Sequence, residues 1–155
     1  MQRRVFITAP LLISLPAWAH HGWSSFDQNR PLYLEGKAAG VAWRNPHVEL
    51  QLDLPADGLT LPADLPTRSL PAQTAPVDGP ALLKTAQLPT RKDRRWAIEL
   101  APLSRMHAWA VPEIKAGDAL ALLGFTFTGE KGDPVLRVEY LFAGGKTYGL
   151  RSGPA

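Results

Sequence analysis

Short segments in which apolar and polar residues alternate limit the fold of this 155-residue chain more than any other feature. A period of two predicts β-strands with one buried face. The segments are residues 32–43, 48–54, 96–100, 120–127 and 136–142. The alternation changes phase around Gly36 and after Gly124, and a glycine at such a change predicts a bulge or a sharp bend. Strongly bent strands favour a small sheet that closes on itself.

One segment between these strands has a helical pattern instead. Pro102 suits a first helical position, and Leu103 and Met106 keep a helical spacing. The order of three strands, a helix and two strands predicts a mainly β fold, a small five-stranded antiparallel barrel like the oligonucleotide/oligosaccharide-binding (OB) fold. Gly144-Gly145 predicts a last hairpin. A two-sheet sandwich is the alternative, although it would not need this helix.

Residues 55–91 interrupt the strand pattern with seven prolines and no aromatic residue. Because proline cannot donate a hydrogen bond to a sheet, this segment is not a central strand. We expect a long insertion between strands two and three, with its leucines attaching parts of it to the barrel. Pro80 to Leu88 is expected to form one or two helical turns.

Residues 1–19 have the pattern of a cleaved signal peptide. A start containing Arg3 and Arg4 precedes an apolar run, and Ala17 and Ala19 provide small residues before the cleavage point. As a helix, the apolar part would extend about 23 Å, short of the roughly 30 Å hydrocarbon core, so no stable membrane anchor is expected after cleavage. The arginine pair also resembles a twin-arginine signal, which leaves both the Sec and twin-arginine routes open. We therefore expect a periplasmic or otherwise extracytoplasmic protein, with one domain over residues 20–155.

Charge and cysteine content exclude several functions. Removing Arg3 and Arg4 from 17 basic residues leaves 15 against 14 acidic ones, a net charge of +1, which gives no electrostatic case for nucleic acid. The absence of cysteine excludes disulfides, zinc–thiolate sites, iron–sulfur clusters and thiol catalysis. No serine lies in a G-x-S-x-G motif, so we name no catalytic residue.

Cleavage after Ala19 would make His20 the amino terminus, which suggests a copper site. The free α-amine and the ring of an N-terminal histidine can chelate one ion, and copper(II) prefers such nitrogen ligands in tetragonal geometry. The candidates for a third ligand are His21, His47 and His107. The simpler alternative is that two histidines only form a polar start to the mature chain.

The densest polar and aromatic cluster is Trp43, Arg44, Asn45 and His47, with Pro46 among them. Asn-Pro predicts a turn, here between strands one and two, and this loop often faces the ligand in such barrels. We therefore predict a ligand-binding surface at these residues. The alternatives are that Trp43 belongs to the core and that Asn45 only caps the turn.

Several motifs together resemble one family of small exported bacterial proteins, catalogued as domain of unknown function 6152. They are His20-His21, Phe26-Asp27, Leu34-Glu35-Gly36, Trp43-x-Asn45-Pro46-His47, Trp96-x-Ile98-Glu99, Trp109 and Gly117-Asp118. The resemblance implies a signal peptide and a small β-rich domain without an established activity. Because the family pattern includes His47 and Glu99 but not His107, it favours His47 as the third metal ligand, with Glu99 as a carboxylate partner. The insertion at 55–91 is longer than the family's usual hairpin.

These observations favour a non-catalytic accessory module that binds a small ligand or a periplasmic protein. The alternative is a copper carrier or oxidative enzyme that uses His20, His21, His47 and Glu99. A hydrolase that pairs Glu99 with Asp118 or Asp133 is a third possibility, because paired carboxylates can act as general acid and base.

Overall fold

The computed structural model describes residues 22–155, which form a closed barrel with additions. The strands are β1 (Leu32–Ala42), β2 (Glu49–Asp53), β3 (Arg95–Glu99), β4 (Ala119–Phe125), β5 (Val135–Ala143) and β6 (Lys146–Gly149). The α-helices are α1 (Gly79–Thr85) and α2 (Leu103–Ala108), and single 3-10 turns lie at Trp23–Ser25, Leu65–Thr67 and Thr128–Glu130. The predicted signal peptide, His20 and His21 lie outside the described residues.

The strands pair in the order β3-β2-β1-β4-β5-β6, and β3 also pairs with β5 to close a five-stranded barrel. The predicted mainly β, OB-like barrel with a helix between strands three and four is therefore confirmed. The closing pair is parallel, with Ala97 beside Val135 and Glu99 beside Arg137, so the barrel is mixed and not entirely antiparallel. Alternation predicts which residues face inward but not the relative direction of two strands. The sixth strand, β6, pairs with β5, and the two strands form the hairpin predicted at Gly144-Gly145.

The barrel interior is filled by the inward-facing residues of the strands. Buried members include Leu34, Leu50, Leu52, Trp96, Ile98, Leu122, Leu136 and Val138. Met106 of α2 is fully buried in the same cluster, so α2 closes one end of the barrel. In β5 the inward face changes after Val138, because Leu141 joins the interior whereas Tyr140 belongs to a second cluster outside the barrel.

Two glycines mark where the strands bend or approach closely. The β4–β5 register shifts between Leu123 and Gly124, which confirms the predicted bulge there, and a Cβ at Gly124 would lie 2.3 Å from the carbonyl oxygen of Arg137. The shift expected around Gly36 is wrong in position, because the β1–β2 register changes between Ala39 and Ala42. Gly36 is instead a point of close contact, where a Cβ would lie 2.1 Å from the backbone carbonyl oxygen of Asp53.

The proline-rich insertion between β2 and β3 packs on the outside of the barrel. Its Leu65 and Leu83 are buried against Tyr33, Leu123 and Tyr140, which project outward from β1, β4 and β5. The predicted helical turns correspond to α1, whose N-terminus is capped by the carboxylate of the preceding aspartate. The insertion therefore adds a second hydrophobic core, as its leucines predicted. Within residues 22–155 no helix is long and apolar enough to cross a membrane.

Candidate functional site

The turn between β1 and β2 carries four of the predicted ligand-binding residues. Asn45 Oδ1 accepts a hydrogen bond of 3.1 Å from the backbone N–H of Leu103, the first residue of α2. The Asn45-Pro46 peptide bond is cis. Trp43 is half-buried against the barrel core, whereas Arg44 is exposed. The turn is therefore attached to α2, and Arg44 projects from a fixed backbone.

His47, at the end of this turn, contacts the ion pair formed by Arg137 and Glu99. This pair lies on the outward-facing side of β3 and β5, but it is covered by other residues. Arg137 Nη2 lies 3.3 Å from His47 Nε2, and Arg137 Nη1 lies 3.2 Å from Glu99 Oε2. The parallel β3–β5 register places Glu99 beside Arg137, and the β2–β3 register places Glu49 opposite Glu99. The Arg137 and Glu99 side chains are only 7% and 8% exposed. Glu99 thus faces outward as predicted, yet it is shielded from water.

Trp23 lies next to the Arg137–Glu99 pair and attaches the start of the described chain to the barrel. Its ring centre is 5.1 Å from the guanidinium carbon of Arg137 and 3.6 Å from that of Arg151, both within cation–π range. The ring also meets Phe125 edge-on at 6.3 Å. Trp23 itself therefore lies beside Arg137.

Arg151 links this region to a second buried carboxylate, Glu139. Its Nε and Nη2 lie 2.8 and 2.7 Å from Glu139 Oε2, and Gln73 Nε2 donates to the other carboxylate oxygen at 3.3 Å. Glu139 is fully buried, and this burial raises its pKa although Arg151 and Gln73 act in the opposite direction. Gln73 belongs to the insertion, so the insertion helps to hold the Glu139 carboxylate that pairs with Arg151.

Arg105 of α2 adds a third guanidinium to the same end of the barrel. It donates a hydrogen bond of 2.9 Å to the carbonyl oxygen of Leu150. Burial lowers the pKa of Arg105, and the neighbouring charge of Arg137 lowers it further. Arg137 and Arg151 are thus paired with Glu99 and Glu139, while Arg105 donates to a backbone carbonyl.

This arrangement commits both His47 and Glu99 to contacts with Arg137. The Nε2 atom of His47 faces the Arg137 guanidinium, and Glu99 is paired with the same group. Within residues 22–155 no three histidine, cysteine, aspartate or glutamate side chains come close enough together to hold a metal ion. The Nε of Arg137 is buried and has no hydrogen-bond partner in the part of the chain that the structure describes.

The structure brings some of the predicted site residues together and separates others. His47 and Glu99 meet through Arg137, while Trp43, Arg44 and Asn45 lie on the adjoining turn. His107 is exposed on α2, and Asp118 accepts a hydrogen bond from the backbone of Lys115 in the turn before β4. Their positions add nothing to the metal or hydrolase hypotheses.

Sequence reasoning missed Trp23, Arg105, Arg137 and Arg151, which surround the predicted residues. Arg137 alternates with apolar residues in β5, so its pattern is that of an exposed strand residue. Of these four residues, only Trp23 had a signal in the sequence, because it lies close to the His20-His21 motif.

Comparison with known proteins agrees with the motifs in the first part of the chain. A family model described as "Family of unknown function (DUF6152)" matches residues 10–61. The predicted resemblance to DUF6152 is confirmed. The matched stretch includes His20, His21, Trp23 and the turn from Trp43 to His47, whereas Glu99 and the arginines follow it in the sequence. No curated protein and no solved structure matches the chain.

Proposed function

We propose that this protein is an exported, non-catalytic binding module that recognises its ligand with the turn from Trp43 to His47. The observation that carries the proposal is the fixation of this turn at two points. Asn45 is hydrogen-bonded to the start of α2, and His47 contacts Arg137 on β5. A surface already held in one conformation loses less entropy on binding.

The ligand is an acidic group on a small molecule or on a periplasmic partner protein. Arg44 is exposed on the turn, and the guanidinium of Arg137 lies behind His47. Arginine binds carboxylate and phosphate groups through paired, charge-assisted hydrogen bonds. The leader-like residues 1–19 support export, and the lack of cysteine and of a serine nucleophile motif supports binding without catalysis.

The experiment compares Arg44→Glu with Lys92→Glu as a matched charge reversal at an exposed residue away from the turn. Immobilised mature protein is incubated with periplasmic extract, and bound proteins and small molecules are identified by mass spectrometry. We expect a bound species that Arg44→Glu loses and Lys92→Glu retains, with equal unfolding temperatures for both variants. Binding that survives both Arg44→Glu and Asn45→Ala would contradict the proposal.

A second candidate function, copper binding at a processed amino terminus, is favoured by the position of Trp23. Trp23 lies over Arg137, and Arg137 contacts His47. Three residues of chain span at most about 10 Å, so an amino terminus at His20 would lie no farther than this from Trp23. The same contacts count against the idea, because Arg137 would repel a metal ion and its guanidinium faces His47 Nε2.

Copper titration of protein that begins at His20, followed by electron paramagnetic resonance, tests this second candidate. The matched control begins at the same residue but carries an acetylated α-amine, which removes the amine ligand of the N-terminal chelate and leaves every side chain in place. We expect one equivalent of copper(II) to bind the processed form, and the acetylated form to bind at least tenfold more weakly. Equal affinity of the two forms, or a secreted protein whose amino terminus is not His20, would refute the copper site.

A further inference from the structure

A large groove lies outside the barrel, away from the surface just described. Its volume is about 990 Å³, at the upper end of the usual size range of small-molecule sites. One wall is formed by Asp64, Arg68 and Ser69 of the insertion, and the other by residues 143–147 of the β5–β6 hairpin. Neither Arg44 nor Arg137 lines this groove.

Both walls of the groove are held in place by packing. In the insertion wall, Leu65 is 2% exposed and belongs to the second hydrophobic cluster. The guanidinium of Arg68 lies 4.9 Å from the ring centre of Phe142, so the insertion contacts the hairpin strand directly. The hairpin turns at Gly144 and Gly145, whose φ angles of 57° and 75° suit glycine. The groove is therefore formed before any ligand arrives.

The acidic residues that line the groove already have hydrogen-bond donors. The contacts are Asp53 with Arg95 at 2.6 Å, Asp64 with Arg68 at 2.9 Å, and Glu35 with the hydroxyl of Tyr33 at 2.6 Å. Hydrogen bonds from the arginines lower the pKa of Asp53 and of Asp64, so both stay ionised and paired. The two aspartates are thus already paired with arginines and poorly placed to attract a cationic ligand.

Two lysines in the lining, in contrast, keep their charges available. Lys37 and Lys146 are exposed, and within residues 22–155 neither ammonium group forms an ion pair or a hydrogen bond. Apolar side chains lie between the two walls, among them Leu54, Ala121 and Phe142. An apolar surface with a few polar groups at its edge is typical of sites for small organic ligands.

We propose that this groove binds an amphipathic organic anion, with its hydrocarbon body against Ala121 and Phe142 and its carboxylate at Lys37 and Lys146. The insertion supplies one wall, and this assigns a ligand-binding role to the segment that exceeds the family's usual hairpin. The site is separate from the one proposed at Arg44, so either can fail without the other.

Calorimetric titration with decanoate, and with decyltrimethylammonium as a probe of equal chain length and opposite charge, tests the proposal below the micellar concentrations. We expect decanoate to bind at least tenfold more tightly. The double variant Lys37→Met/Lys146→Met should weaken decanoate binding at least tenfold, while Lys92→Met and Arg44→Glu should leave it unchanged. Ala121→Trp should block the groove and abolish binding of both probes.

No binding of decanoate, equal affinity for the two probes, or unchanged affinity in the double lysine variant would each overturn the proposal. Circular dichroism and the unfolding temperature establish that Ala121→Trp is folded. If Ala121→Trp is not folded, the double lysine variant alone tests whether the groove binds the anion. Both lysines are exposed, so their replacement removes no packing.

Discussion

The carboxylate of Glu130 joins the end of the insertion to the loop before β5, and its removal is the sharpest test of the fold. The side chain is 4% exposed. It accepts hydrogen bonds from the backbone N–H of Thr90 at 3.0 Å and of Arg91 at 2.9 Å, and it pairs with the guanidinium of Arg30. Glu130→Gln keeps the shape of the side chain but replaces one acceptor oxygen with a donor.

The expected loss follows from the pKa of Glu130. Burial alone would raise this pKa, but the N–H groups of Thr90 and Arg91 and the charge of Arg30 outweigh it and lower the pKa from 4.5 to about 2. This difference corresponds to about 3 kcal/mol of folding free energy at neutral pH. Because the folded-state pKa is the lower one, the stabilisation is complete above about pH 4.5 and is lost as the pH falls towards 2.

Urea unfolding of the wild-type protein and Glu130→Gln between pH 7 and pH 2.5 measures this loss directly. We expect a difference of about 3 kcal/mol in the free energy of unfolding at pH 7, which shrinks to below about 1 kcal/mol at pH 2.5. Other carboxyl groups titrate in both proteins and cancel in the comparison, and Glu113→Gln serves as an exposed control. A difference that stays constant with pH, or one below about 1 kcal/mol at pH 7, would refute the reasoning.

Three further substitutions test separate parts of the structure by chemical denaturation. Gly124→Ala places a Cβ 2.3 Å from the carbonyl oxygen of Arg137 and should cost about 2–3 kcal/mol, whereas Gly153→Ala enters open space and should be neutral. Glu99→Gln removes the carboxylate that pairs with the buried Arg137 guanidinium and should cost about 3 kcal/mol. Asn45→Ala removes the hydrogen bond to the first turn of α2 and should cost about 1 kcal/mol, and a variant as stable as the wild-type protein would show that this bond is unimportant.

The sequence predicted the barrel well because inward-facing positions obey a local rule. Leu50, Leu52 and Ile98 alternate with polar residues and all face the interior, and the bulge at Gly124 follows from a visible change of phase. The outer surface obeys no such rule. Tyr140 is buried there because the insertion folds back over β5, and nothing in the sequence around Tyr140 indicates that distant cover.

The candidate site shows the same division between local and distant information. The Asn-Pro motif predicted the turn, but the alternative that Asn45 only caps this turn did not include the hydrogen bond that its side chain accepts from the first residue of α2. Arg137 was missed because its local pattern is that of an exposed residue, whereas the parallel β3–β5 pairing places it beside Glu99. A residue's environment is thus predictable where one strand determines it, and unpredictable where several segments meet.

Arg137 also separates the two functions proposed for this end of the barrel. Its guanidinium lies between His47 and Glu99, the two described residues that a copper site would need. Since Arg137 Nη2 lies 3.3 Å from His47 Nε2, that nitrogen would have to lose this contact before it could bind a metal ion. For copper to bind, the α-amine and ring of His20 would therefore have to provide most of the affinity, and acetylation of the α-amine removes this contribution.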